Sequence, residues 1–480
     1  MLNLVLWLPI VGLLSIVSLR DDQSIRKAGL AISGLTLLLS WSLIASFDGS
    51  SPAIQLVEQR DWLPEMGLRY YIGVDGLSLP LLLLTTLISF VALLASNNIV
   101  ERVKEYYCWF LLLQFSMMGV FIAQNWLLFY MFFEFTLIPI YFLIGIWGGK
   151  KRAQATTTIF LYTLTGSILM LLSIVALFIY SSVNSFDMDT LALQHVNWSP
   201  TLQIIIFTGF LIGFAVKVPA FPFHGWLNLA HVEAPTPLSM LLSGVLLKMG
   251  AYGLMRVSQL LPQAMEWFAY LLLVLGFINI IYGAVLAWRQ TDLKSMVAFS
   301  SISHMGFVLI SISGLTAIGF TGATMQMVAH GIITGALFYM VGLIYHRTDN
   351  RNIDKFGGLV HKVPVYSSIT ILTLFASMGL PGLVGFIAEF HILMGVLESS
   401  GLAVVLASIG IIIGASYSLS AINKIFMGSA NTKWNNLNDM NRYEIFAVAP
   451  LVLLMIGLGL FPQLALNLMN ATMVQMALIF

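Results

Sequence analysis

Apolar residues run through this chain in long continuous stretches that do not alternate with polar ones. The stretches recur near the ~20-residue length that a helix needs to cross a bilayer. They lie near 2–19, 28–47, 76–96, 106–123, 126–147, 155–180, 202–228, 237–258, 265–288, 294–314, 317–345, 364–397, 401–428 and 445–469. The pattern predicts an all-α polytopic membrane protein with about 14 transmembrane helices. A membrane β-barrel is excluded, since its strands alternate apolar and polar positions. The first stretch is expected to stay as a span. It lacks a basic leading segment and a small-x-small cleavage site, and Arg20 follows it.

Composition sharpens this picture. Of 480 residues, 59% are apolar and only 9% are charged, against roughly a quarter charged in soluble domains. Mean hydropathy is +0.92. Cys108 is the sole cysteine, so the chain has no disulfide of its own and cannot hold a four-cysteine cluster. Neither GxGxxG nor GxxxxGK[ST] occurs, and no polar segment is long enough for a nucleotide domain. A net charge of +1 carries no nucleic-acid signature. Chemistry must therefore lie inside the bilayer or in a partner subunit.

The charges also predict orientation. With both termini on the non-cytoplasmic side, 17 of the 22 Lys and Arg fall on the cytoplasmic side, 3 fall outside (Arg60, Arg69, Arg256), and Lys217 and Lys248 sit at membrane depth. That split follows the positive-inside rule. The polar loop 48–75 is expected to form a small cap. The charged loop 346–363 is a solvated segment or a docking surface.

Two spans are interrupted. Pro219 and Pro222 break the seventh, within Lys217-Val218-Pro219-Ala220-Phe221-Pro222. Pro381 breaks the twelfth, among Gly379, Gly382 and Gly385. Proline removes an amide donor and clashes with the preceding turn. Such backbone is tolerated in a bilayer only where it is buried or lines a cavity. The breaks are five spans apart, and an odd offset places two repeats in opposite orientation. The expected layout is one membrane domain: N-terminal helices one to three in 1–105, a five-helix repeat in 106–258, its inverted copy in 259–428, and the last helix in 429–480. Two ordinary proline kinks are the plainer alternative.

Ionisable residues mark the same region. Glu134, Lys217, Lys248 and Glu389 lie at membrane depth, as do His304 and His330. A charge at the bilayer centre costs about 2.5–3.5 kcal/mol on the insertion scale, so such residues are functional candidates. The set contains acids, bases and histidines without metal-ligand spacing, which suits proton transfer: Glu134 paired with Lys217, and Lys248, His304, His330 and Glu389 as a relay. A satisfied core residue is the competing reading for the two histidines. His224, His231 and Glu233 lie near the end of the broken seventh span and are candidates for a proton entrance, or else cap it. Lys294 and Asp292 read as interface residues.

These residues stand in motifs that resemble the antiporter-like subunits of respiratory complex I and its photosynthetic relatives, chain M type (NdhD in cyanobacteria). The motifs are Phe133-Glu134-Phe135-Thr136-Leu137-Ile138-Pro139, Ala215-Val216-Lys217-Val218-Pro219, Pro222-Phe223-His224-Gly225-Trp226-Leu227 and Ala230-His231-Val232-Glu233-Ala234-Pro235-Thr236. They continue in Leu246-Leu247-Lys248-Met249-Gly250, Ser303-His304-Met305-Gly306-Phe307, Ala329-His330-Gly331 and Pro381-Gly382-Leu383-Val384-Gly385-Phe386-Ile387-Ala388-Glu389-Phe390. The match covers most of the chain, in order. It implies a proton-pumping membrane-arm subunit with a Glu134–Lys217 pair, a central Lys248 and an exit-side Glu389. An acid at 389 fits the M type, since the L and N types carry lysine there. The L type also has a long lateral helix after its last span, whereas about a dozen residues follow the last span here. One departure is Trp226-Leu227-Asn228-Leu229, where the family usually has Trp-Leu-Pro-Asp.

The resemblance further implies no cofactor or metal in this chain, with iron–sulfur clusters and quinone in partner subunits. The implied partners are other membrane-arm subunits, the peripheral redox subunits and the lipid bilayer. Gly73-Val74-Asp75-Gly76-Leu77-Ser78-Leu79-Pro80 and Trp147-Gly148-Gly149-Lys150-Lys151-Arg152 look like the cyanobacterial form, so a thylakoid membrane is expected ahead of a bacterial inner membrane. Two other functions compete: a subunit of a multisubunit sodium/proton antiporter, and a scaffold subunit whose charges are relics.

Overall fold

A backbone inside hydrocarbon has to satisfy its own N–H and C=O groups, so the apolar runs become helices. The computed structural model describes residues 1–398 and 400–480. Among them, twelve helices are long and apolar enough to cross a membrane, from Asp22–Ser46 to Arg442–Leu460. Three shorter apolar helices accompany them: Leu2–Ser18, Pro364–Ser377 and Val384–Leu397. The chain is an integral, multi-pass membrane protein.

Both expected breaks are present. One helix ends at Lys217 and the chain resumes as Leu227–Glu233. Another ends at Ser377 and resumes at Val384. Three departures from the sequence pattern have physical causes. The chain is not wholly helical, because Gln55–Leu63 and Leu68–Val74 pair as an antiparallel hairpin in the expected cap. The expected span 445–469 is two helices, Arg442–Leu460 and Gln463–Ala477. Pro462 separates them, since the residue before a proline is steered away from helical geometry. The expected span 126–147 is also interrupted, at Thr136. Pro139 accounts for this, because its ring meets the carbonyl four residues back, that of Phe135.

The loops segregate onto two faces. Arg26 donates to the Asn97 and Ile99 carbonyls, Lys104 to the Val17 carbonyl, and the Trp147 indole to the Glu101 carbonyl. Arg347 pairs with Glu444, Arg351 with Asp292 and Lys424 with Asp354. The basic loops thus form one connected face. On the opposite face the hairpin meets two other connections: Gln124 N–H donates to the Tyr71 carbonyl and Phe186 N–H to the Gly67 carbonyl.

Burial is uneven, and this positions the site. Helices Ser78–Asn98, Thr236–Leu260, Leu293–Ser313 and Ala317–Thr348 are almost wholly enclosed by the rest of the chain. Helices Asp22–Ser46, Arg152–Tyr180, Pro262–Trp288 and Gly401–Phe426 turn most of their apolar surface outward. Lys248, His304 and His330 all lie on the enclosed set, where a protein lining replaces lipid around the charge.

One buried ion pair ties two of these helices together. Arg256 donates to both oxygens of Asp75, at 2.6 and 2.8 Å, and its Nε donates to Tyr252 Oη at 3.0 Å. Tyr252 in turn donates to the Phe121 carbonyl. Asp75 also accepts from the Leu77 and Ser78 N–H groups at the start of helix Ser78–Asn98. Burial alone would raise the Asp75 carboxyl. The Arg256 guanidinium and the Ser78 hydrogen bonds outweigh it and hold the group below the ordinary carboxylate range. The sequence pattern counted Arg256 as a loop charge, whereas it is buried here.

Arg256→Met leaves a buried carboxylate without its partner, at a cost of about 3–5 kcal/mol. The expected outcome is a lower unfolding midpoint for the purified protein, largely restored by adding Asp75→Asn. A depressed carboxyl stabilises the fold above its unfolded value, so the wild-type contribution persists at neutral pH and is lost only as pH falls into acid. An unchanged midpoint in Arg256→Met would remove the pair from the forces holding the two helices.

Candidate functional site

The centre of the site is a lysine placed by an irregular turn. Helix Thr236–Leu260 passes through a π-helical turn at Leu242–Leu246, a feature frequent at functional sites. Lys248 follows this turn and donates back to the Ser243 carbonyl. Its Nζ lies 2.6 Å from His330 Nδ1. When the lysine is an ammonium it donates to Nδ1, and His330 then carries its hydrogen on Nε2. That Nε2 has no hydrogen-bond partner, and the His330 ring stands 5.3 Å from the His304 ring between centroids.

From His304 the line continues into the second break. Gln326 Nε2 lies 3.3 Å from His304 Nδ1, and Ser377 Oγ lies 3.3 Å from Nε2. Ser377 is the last residue of its helix before the break. Glu389 Oε1 lies 4.0 Å from His304 Nδ1. The carboxylate packs over Gly379, whose φ is +74°. A Cβ on Gly379 would come within 2.4 Å of Glu389 Oε2. The break thus creates the space that the acid occupies.

The first half is arranged differently. Lys217 is the last residue of its helix, fully buried, with Nζ 4.9 Å above the Phe133 ring and no hydrogen-bond partner. Glu134 is half-buried next to that ring, and its Oε1 is also unpartnered. Glu134 and Lys217 do not meet in an ion pair of 4 Å or less, although each still feels the other's charge. Lys217 lies against the Lys248 helix at Gly250, where a Cβ would stand 3.0 Å from Lys217 Cβ.

The three expected entrance residues do not form one cluster. His231 is fully buried, stacked 4.8 Å from Phe338, with both ring nitrogens unpartnered. Glu233 accepts from Lys151 N–H with its carboxylate, and from Gly149 N–H with its carbonyl, so it anchors the 148–151 loop. His224 packs beside Phe221 and Tyr282, away from the other two. A cavity of about 500 Å³ opens on the basic face, lined by Lys150, Lys151, Glu233, Lys294 and Arg351 together with apolar residues. Lys294 is buried there and donates to the Ala234 carbonyl at 2.6 Å. It belongs to the cavity wall rather than to a plain interface. Among the described residues, no group of three or more His, Cys, Asp or Glu side chains is placed to hold a metal ion.

This set of buried bases, histidines and acids on broken helices has clear relatives. Residues 123–414 match the family model "NADH:quinone oxidoreductase/Mrp antiporter, TM", and residues 4–123 match "NADH-ubiquinone oxidoreductase chain 4, amino terminus". The chain is 40% identical over 476 residues to NADH-quinone oxidoreductase subunit M of Rickettsia bellii, covering 97% of this chain and 96% of that one. It belongs to the chain M, or chain 4, family of NADH:quinone oxidoreductase. It is also 39% identical over 483 residues to NAD(P)H-quinone oxidoreductase chain 4 of Gloeobacter violaceus, covering 98% of this chain and 91% of that one. A chain of respiratory complex I from Thermus thermophilus superposes with a TM-score of 0.92 at 30% identity, covering 100% of this chain and 99% of its own length.

Within this chain M protein, a search for charges misses several site residues. Gln326 and Ser377 are neutral and unremarkable in sequence. The π-helical turn before Lys248 has no residue signature. Lys294 opens a helix, where a lysine usually reaches water. Gly379 was visible as a glycine beside a proline, but its contact with Glu389 was not.

Gly379→Ala places a side chain in left-handed backbone, a strain of about 1–2 kcal/mol, and drives Glu389 from its seat near His304. The quinone reductase activity per assembled complex is expected to fall severalfold, at roughly unchanged assembly. Gly457→Ala, with nothing within 4 Å of the added atom, is expected to be neutral. Equal activity in both variants would mean that the Glu389 seat is unimportant.

Proposed function

We propose that this chain is a proton-translocating, membrane-arm subunit of a complex I-like NAD(P)H or ferredoxin:quinone oxidoreductase. The observation that carries the reading is the line Lys248–His330–His304–Glu389, whose first three members are held on enclosed helices and whose last lies at a helix break. A lysine that takes a proton from one side and hands it to a histidine needs such a partner within hydrogen-bond reach. Glu134 and Lys217 act upstream: drawing them together stabilises the ammonium, and separating them releases its proton toward Lys248. His231, Glu233 and Lys294 supply protons from the basic-face cavity, with His224 beside the break. Protons pass between these groups by way of water.

The proposed architecture has fourteen crossings. Leu2–Ser18 and the broken Pro364–Leu397 segment are the two added to the twelve long helices. The proposed repeats are 106–258 and 259–428, inverted and each broken at the corresponding helix, with 1–105 and 429–480 flanking them in one membrane domain. The basic face is the cytoplasmic one, and both termini lie opposite. This chain holds no cofactor in this scheme; iron–sulfur clusters and quinone belong to peripheral and neighbouring subunits, and electron transfer there drives the relay. The similarity to a Rickettsia chain equals that to a cyanobacterial one, at 40% and 39%. The proposed location is therefore a bacterial energy-converting membrane, of which the thylakoid is one form. A sodium/proton antiporter subunit is the second reading, favoured only by the joint family model that spans both groups.

Lys248 decides between these and a scaffold. It sits near the centre of helix Thr236–Leu260, ~18 Å from either end at 1.5 Å per residue, too deep for its stem to reach the interface. Arginine stays charged and cannot give up its proton. Lys248→Ala and Lys248→Arg are both expected to cut proton uptake in proteoliposomes by at least about tenfold, with the complex still assembled. Coupled electron transfer slows with it. Full pumping by Lys248→Ala would sink the relay and leave the scaffold role.

A further inference from the structure

The first break is held from the other half of the chain. Between Lys217 and Leu227 the helical ladder stops, and its freed groups need partners at membrane depth. Some are found locally: Val218 N–H donates to the Phe214 carbonyl, Ala220 N–H to the Ala215 carbonyl, and Phe223 N–H to the Ala220 carbonyl. The Trp226 indole donates to the Val216 carbonyl at 2.9 Å. Two more are met by one side chain. Asn279 Oδ1 accepts from Phe221 N–H at 2.8 Å, and its Nδ2 donates to the Pro219 carbonyl at 3.3 Å.

Asn279 is fully buried near the middle of helix Pro262–Trp288. That helix is itself immobilised. A Cβ on Gly306 would stand 2.6 Å from the Gly276 carbonyl and 2.8 Å from Asn279 Cβ, and one on Gly283 would stand 2.6 Å from Ser303 N. The Pro262–Trp288 and Leu293–Ser313 helices therefore touch backbone to backbone on both sides of Asn279. Ser303 adds a hydrogen bond to the Ile280 carbonyl. His304 lies on this second helix, next to Ser303. The amide that holds the Lys217 break thus belongs to the same rigid pair of helices that carries His304. An amide suits this position because it offers a donor and an acceptor without a charge. The second break is not held in this way: Gly459 of helix Arg442–Leu460 packs there against the Gly382 carbonyl, with no side-chain amide.

We propose that Asn279 is a positioning residue for proton translocation: its two hydrogen bonds fix the first break, and with it Lys217, to the helix pair that carries His304. The proposal rests on the relay reading above. The carboxamide does not transfer protons. It sets where the end of the Lys217 helix sits and makes that end move with the second half.

The test compares Asn279→Leu, which removes both hydrogen bonds at similar volume, with Asn279→Gln, which keeps the amide. The intact complex carrying each variant is placed in proteoliposomes, and the rate of proton uptake is measured against assembled complex. A ~1 Å misplacement of a positioned group can cost about 10²-fold. Asn279→Leu is expected to lower the rate of proton uptake by about tenfold, and Asn279→Gln to restore most of it. A wild-type rate in Asn279→Leu overturns the proposal, and so does an equal loss in both variants, which would mean that shape rather than the amide matters. If Asn279→Leu does not assemble, Asn279→Ala is measured in the same way. Failure of both to assemble overturns the proposal in favour of a folding role. Lys248→Ala separates the two ideas: if it abolishes pumping while Asn279→Leu pumps normally, the relay stands and only the positioning role falls.

Discussion

A backbone N–H or C=O without a partner in hydrocarbon costs several kcal/mol, and this cost decides where the chain is allowed to be irregular. At the two breaks beside the buried charges, other groups take over freed hydrogen bonds. At the first break, turns, the Trp226 indole and the Asn279 amide do so. At the second, local turns do so, with Gly459 packed closely against the break. Each break then supplies what a continuous helix cannot: a helix end for Lys217 in one case and a seat for Glu389 in the other.

The same economy governs the charges. Helices whose outer faces meet lipid carry apolar side chains there; Lys248, His304 and His330 sit on helices enclosed by protein, whereas Glu134, Lys217 and Glu389 sit on the inward faces of helices that are about half buried. Within that shell the two halves differ. From Lys248 into the second half, His330, His304 and Glu389 follow one another at contact or near-contact distance. In the first half, Lys217 lies over an aromatic face and Glu134 stands apart from it. A ring face attracts a cation but does not accept a proton. This arrangement leaves the Lys217 ammonium free to be drawn either toward Glu134 or toward the Lys248 helix against which it packs.

The legible parts of the fold were those with strong local chemistry. Apolar runs located the helices, and Pro219 and Pro381 located the breaks. The charged residues at depth identified most of the line, because each conflicts so plainly with its surroundings. Other features followed from tertiary contacts that no single residue announces. Asn279 is neutral, so a search for charges passes over it. The π-helical turn before Lys248 is spelled Leu242-Ser243-Gly244-Val245-Leu246, an ordinary helical run. The hairpin at 55–74 is short and mostly polar on its first strand, which blurs the alternation that marks a strand. Pro139 was in plain view, yet its effect falls on Thr136, one turn earlier, next to Glu134.

The line of central residues runs along the membrane and not across it. Lys248, His304 and His330 each lie near the middle of a helix, so a proton passing among them gains little depth. Crossing has to occur at the ends of the line. On the proposed reading, one end is the basic-face cavity with Lys294 and Glu233 in its wall and His231 buried behind it. The other is the break beside Glu389. A pump must keep these ends from being open together, or the stored gradient drains through. On the same reading, a lateral line joined at a single lysine meets that need, because Lys217 packs against the Lys248 helix on one side and His330 contacts Lys248 on the other. Fixing the Lys217 break to the His304 helix pair gives the two sides a common mechanical reference. A shift at one break is then felt at the next relay group without a long-range change in the rest of the fold.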